Sequence, residues 1–147
     1  MVQYFWVMLH KPMRNVWEVF AMVNLDCWLP EKEMFGRFSV DRICANKDQL
    51  EAVVSNEVFQ FTISFPRGVG AYCVTEAERA HERLAALQSE HEVYMRGNTF
   101  FKLSGSSYAS EYGRKDDVHY LIASPNYVVD ILANTQPSVQ LSQALQK

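Results

Sequence analysis

The stretch Val58-Phe59-Gln60-Phe61-Thr62-Ile63-Ser64-Phe65 decides the fold class. Side chains on a strand alternate between its faces, so Phe59, Phe61, Ile63 and Phe65 face one way and Gln60, Thr62 and Ser64 the other. A strand over 58–65 follows, with one packed face and one less apolar, wetted face. Pro66-Arg67-Gly68-Val69-Gly70 ends it. Downstream, Thr75 and Glu78 have the spacing of a capping box, in which side chains satisfy the free N–H groups of a helix start. The spacing predicts a helix over 76–90, with Ala77, Ala80, His81, Leu84 and Gln88, widened by Leu87, on its packed stripe.

Further along, 92–96 and 99–103 flank Gly97-Asn98, a pair that tolerates positive φ and suits a tight hairpin. Ser104 to Asp117 reads as a polar loop and Val118 to Ala123 as a strand. Ser124 followed by Pro125 reads as the start of a helix reaching about Ala133, because proline fits the first helical turn. Residues 134–147 are polar and Gln-rich, and are expected as a frayed tail or weak helix.

Upstream of the deciding strand, Asn46 and Gln49 repeat the capping-box spacing and predict a short helix over 47–54. Phe38 to Ala45 reads as a strand, and Asp26 to Arg37, broken at Pro30 and Gly36, as a loop with room for one helical turn. Gln3 to Leu9 is nearly all apolar and reads as a buried strand. Pro12 to Asn24 carries Met13, Val16, Trp17, Phe20 and Ala21 at helical spacing. Strands and helices mix without a regular βαβ beat. The expected fold is therefore α+β, one domain over 1–133, with a mixed or mainly antiparallel sheet and helices packed mainly on one face.

The totals agree with one packed domain. The chain has 147 residues, 48% hydrophobic and 13% aromatic, so it can bury roughly two-thirds of its unfolded surface. The formal net charge of −3 exerts no broad pull on nucleic acid, and direct nucleic-acid binding is not expected. Cys27, Cys44 and Cys73 are odd in number and widely spaced, which points to a reducing, cytoplasmic setting rather than a disulfide framework. The apolar start lacks a charged region and a cleavage site, so it makes a poor signal peptide. No apolar run has the length of a membrane span.

Several groups of residues offer chemistry. The turn Arg67-Gly68-Val69-Gly70 lies between a strand and a helix, where glycine backbone N–H groups can approach a phosphate-bearing ligand. It lacks the spacing of either glycine-rich nucleotide motif. Gly105-Ser106-Ser107-Tyr108-Ala109 nearly matches the nucleophile elbow, with Asp117 and His119 following in the order of a hydrolase triad. The strand–turn–helix context of that motif is missing from the reading. His10, His81, His91 and His119 and the cysteines form no metal-ligand spacing, so neither a metal nor a cofactor is expected.

The remaining candidates are contact residues. Tyr108, Tyr112, Arg114 and Lys115 stand in a Ser/Gly-rich loop, and Tyr and Arg are frequent anchors of protein interfaces. Trp28, beside Leu29 in a loop tip, is either a lid on the core or a further anchor. With no catalytic constellation passing on spacing, the expected function is a non-catalytic interaction domain with a macromolecular, protein partner. Small inhibitors, immunity proteins and mobile-element anti-defence proteins such as anti-CRISPR proteins are examples of that class. The alternative is a small enzyme or ligand-binding domain holding a phosphate at Arg67, Gly68 and Gly70.

Overall fold

The deciding stretch forms a strand, and its alternation sets the layers. The computed structural model describes residues 23–144. The expected strand over 3–9 and the helix from Pro12 fall outside the described residues, as do Trp6, Trp17 and His10. Asn24, the expected end of that helix, instead opens a strand. In chain order the elements are β1 (Asn24–Cys27), β2 (Ser39–Asn46), β3 (Gln49–Ser55), β4 (Phe59–Phe65), β5 (Val69–Glu76), α1 (His81–Met95), β6 (Phe100–Ser104), α2 (Ser107–Tyr112), β7 (Val118–Ala123), β8 (Tyr127–Ala133) and β9 (Ser138–Ala144). Single 3-10 turns occur at Lys32–Met34 and Ala77–Ala80.

The strands form two antiparallel sheets, ordered β2-β3-β4-β9 and β1-β6-β7-β8-β5. The class is α+β, with two sheets where one was expected and one main helix. Phe61, Ile63 and Phe65 of β4 are buried, and with Leu50, Ala52 and Val54 of β3 they share a core with Tyr72, Val74, Phe100, Tyr120, Ile122, Val129 and Ile131 of the other sheet. Fully burying each Val, Leu, Ile or Phe side chain among them contributes on the order of 1.5–3 kcal/mol. Ring edges lock the layers, with Phe65 5.2 Å from Tyr120 and Phe38 5.4 Å from Phe100. Asn126 also joins the sheets, accepting from Val40 N at 3.0 Å and donating to Val40 O at 2.8 Å.

Several local expectations change. The helix over 47–54 is instead β3, joined to β2 by a tight turn at Lys47-Asp48, with Lys47 at φ 56°. Asn46 and Gln49 face each other across that turn rather than capping a helix. The helix from Ser124 to Ala133 is instead β8, a central strand whose Val128 to Ala133 are all buried. Ser124 caps a turn there, its Oγ accepting from Tyr127 N at 3.0 Å. The hairpin at Gly97-Asn98 is a helix exit: 92–95 belong to α1, and Gly97 at φ 73° turns the chain into β6.

The tail over 134–147 contains β9, which pairs with β4 through Phe61 opposite Leu141 and Ile63 opposite Val139. The loop over 104–117 contains the short helix α2. The helix expected over 76–90 exists but starts later. Glu76 stays in β5, and neither helical start there has a side-chain cap. Arg83, Leu87 and Met95 of the helix are buried, as is Ala80 of the preceding turn, while His81 and Gln88 are exposed. Among the described residues, no helix is long and apolar enough to cross a membrane.

Candidate functional site

Strand direction gathers loops from both sheets at one end of the molecule. These are the β2–β3 turn, the β4–β5 turn (66–68), the α2–β7 segment (113–117) and the β8–β9 segment (134–137). Val69 N donates to Asp48 O at 3.0 Å, and Gly68 N to the Asp48 carboxylate at 3.3 Å. Asn134 N donates to Gly68 O at 3.0 Å, and Thr135 Oγ1 donates to Arg67 O. Arg114 completes the tie: its Nη2 donates to Gly68 O, its Nε to Asp117 Oδ1 at 3.1 Å. Arg114 N also donates to Asp117 Oδ2 at 2.6 Å.

The two rival sequence candidates therefore meet, because Arg114 lies on the Gly68-Gly70 turn. A Cβ at Gly70 would fall 2.8 Å from Arg114 Nε, and one at Gly68 would collide with Asn134 Oδ1. Gly68 also needs its φ of 85°. These glycines allow the chain's own side chains to come close. The N–H of Gly68 is taken by the Asp48 carboxylate and that of Val69 by the Asp48 backbone carbonyl. Lys47, Arg67 and Lys115 are exposed and make no ion pair among the described residues.

The other contact candidates lie elsewhere. Trp28 is buried in the shared core, edge-on to Tyr120 at 5.2 Å. Tyr108 is buried with Ala71, Cys73 and Leu132. Neither ring is presented at the surface. Tyr112 is half-buried, 5.5 Å from the Tyr108 ring.

Beneath α2 lies a buried polar chain. Ser106 caps α2, its Oγ accepting from Ala109 N at 3.1 Å. The same Oγ is 2.8 Å from His119 Nδ1, and His119 Nε2 is 2.7 Å from Asp130 Oδ1. Arg83 of α1 forks onto Asp130, with Nη1 2.6 Å from Oδ2 and Nη2 on Oδ1. Every group fits one proton arrangement. Ser106 donates to His119 Nδ1, and His119 Nε2–H donates to the Asp130 carboxylate. Burial pushes the Asp130 carboxyl up, but the Arg83 charge and the His119 hydrogen bond outweigh it and hold the group well below the usual carboxylate range. Burial, reinforced by Asp130, pushes the Cys73 thiol up to about 11.

The elbow pattern puts its nucleophile at Ser107, with Asp117 and His119 as partners, whereas the structure sets Ser106 on His119. It gives the place of the acid to Asp130 and binds Asp117 to Arg114. Two facts set the chain apart from a working triad. Ser106 is 1% exposed, and the Asp130 carboxylate is held by both Nη atoms of Arg83 as well as by His119. What the arrangement does is join α1, α2, β7 and β8. A signal for it existed: Asp130 is the lone charge in the otherwise apolar run Val128 to Ala133, and a buried carboxylate needs a cation. Among the described residues, no three His, Cys, Asp or Glu side chains are placed to hold a metal ion.

This fold and end surface define a two-sheeted α+β domain with a cross-tied loop end. No protein-family model matches the chain, no curated protein matches it in sequence, and no solved structure matches its fold.

Proposed function

We propose that the chain is a non-catalytic interaction domain that meets an acidic macromolecular partner, most simply a protein, through the loop end around Arg67, Arg114 and Lys115. The observation that carries this reading is the cross-tying of four loops from both sheets, with Arg114 on Gly68 at the centre. Loops fixed before binding lose little entropy on association, which favours recognition by a rigid surface. Three exposed cations that make no ion pair among the described residues, Lys47, Arg67 and Lys115, supply charge that a partner can neutralise.

The test starts with a partner captured from source cells and continues by calorimetry with Arg67→Glu and Lys115→Glu. Each reversal is expected to weaken binding by roughly tenfold or more, with the steepest loss at low salt and the melting temperature unchanged. Equal affinity for wild type and both variants overturns the reading. Arg114 is a poorer probe, because removing it also unties the loops.

A further inference from the structure

β9 is the outermost strand of the sheet β2-β3-β4-β9, and among the described residues no strand pairs with its far side. An edge strand carries unpaired N–H and C=O groups, and folded proteins commonly guard it with charged side chains or proline. The other three edge strands carry charge: Asp26 in β1, Asp41 and Arg42 in β2, and Glu76 in β5. β9 runs Ser138-Val139-Gln140-Leu141-Ser142-Gln143-Ala144, seven residues with no charge and no proline. Leu141 stands at its midpoint. Residues paired across antiparallel strands share one face of the sheet, so Leu141, opposite the fully buried Phe61, is on the core-facing side. It is nevertheless 47% exposed. The apolar face of the sheet therefore reaches the edge and ends there uncovered.

A second copy of the same strand fits this edge. Antiparallel pairing over all seven residues places Leu141 opposite its own counterpart on a two-fold axis, and Gln140 of one copy opposite Ser142 of the other. Any charge near such an axis would face its like, and β9 carries none. We propose that the chain forms a two-fold dimer through β9, which merges two four-stranded sheets into one of eight strands and buries Leu141 against its counterpart. The contact is a single strand pair, smaller than the roughly 1,200–2,000 Å² of a stable complex, so the dimer is weak and assembles at micromolar concentrations or above. The cross-tied loops lie at the Ser138 end of β9. Antiparallel pairing points the two loop ends in opposite directions, and the dimer presents two copies of that surface.

Sedimentation equilibrium of the intact protein across roughly 1–300 µM tests this, with hydrogen exchange measured over the same range. The average mass is expected to rise from 17.0 kDa toward twice that value, and the β9 amides to gain protection in step with it. Leu141→Lys and Leu141→Glu each set like charges on the axis and should stay monomeric. Their equimolar mixture pairs opposite charges and should regain the dimer. A wild-type monomer at every concentration overturns the proposal. So does protection of β9 that does not depend on concentration, since another segment of the chain then covers the edge. Folded variants that dimerise like wild type, or a mixture that stays monomeric, place the contact elsewhere and overturn it too. The two wild-type measurements decide the matter even if a variant fails to fold.

Discussion

Asp130 is an anion with no exposed surface, kept ionised by Arg83 and His119. Removing its charge takes away the carboxylate onto which the buried Arg83 forks. Asp130→Asn is expected to cost about 3–5 kcal/mol in urea unfolding. The pH dependence follows from the lowered folded value. Its stabilisation is full above the ordinary carboxylate value of 3.8 and is lost as pH falls from there toward the folded value. Wild type should therefore lose stability below about pH 4, and the variant should lack that part of the acid limb. The cysteines give a second test. Cys44 is exposed, while Cys73 is buried with its thiol held protonated at neutral pH. Mass spectrometry after iodoacetamide treatment at pH 8 should find Cys44 modified first and Cys73 only on unfolding. At this scale the sequence shows Asp130 as an oddity. It does not show that Arg83 supplies the cation, because a long-range pairing leaves no local pattern.

Ser106 serves two elements at once, as the N-cap of α2 and as the partner of His119 on β7. Ser106→Ala is expected to cost about 1–3 kcal/mol, since it removes a cap and leaves an imidazole nitrogen unpaired in the interior. Gly68→Ala should cost at least about 1 kcal/mol, because the position needs positive φ and a Cβ there meets Asn134 and Thr135. Equilibrium unfolding of each variant checks both values. Local patterns served unevenly among the elements. The alternation in β4 was legible because one face is buried and the other polar. The capping-box spacing at Asn46 and Gln49 misled, because polar residues at a tight turn occur at the same interval. β8 was missed for a different reason: a strand buried on both faces has no alternation, and Ser124-Pro125 suits a turn as well as a helix start. β9 was hidden by its polarity, with Leu141 47% exposed on an edge strand.

For the whole molecule, the α+β class was legible, since it follows from composition and alternation. The division into two sheets was not, because it depends on which strands meet. The candidate site was legible in part. The Arg67 turn and the Arg114 segment could each be picked out, but their contact arises only from the fold. The sheet order also implies an exposed liability. Truncation before Pro137 would remove β9 and leave the edge of β4 open along Phe59–Phe65. The truncated chain is expected to self-associate in size-exclusion chromatography, with wild type as the control.

The pairing of β4 with β9 also bears on the order of folding events. Thr62 and Ser142, bonded at 2.8 Å, stand 80 positions apart, whereas β2, β3 and β4 follow one another as a local meander. Loop-closure entropy delays contacts between distant positions. Pulsed hydrogen exchange during refolding should thus protect amides shared by β3 and β4 before those shared by β4 and β9. The strand that most clearly announces the fold in the sequence would be half-paired for most of the folding time.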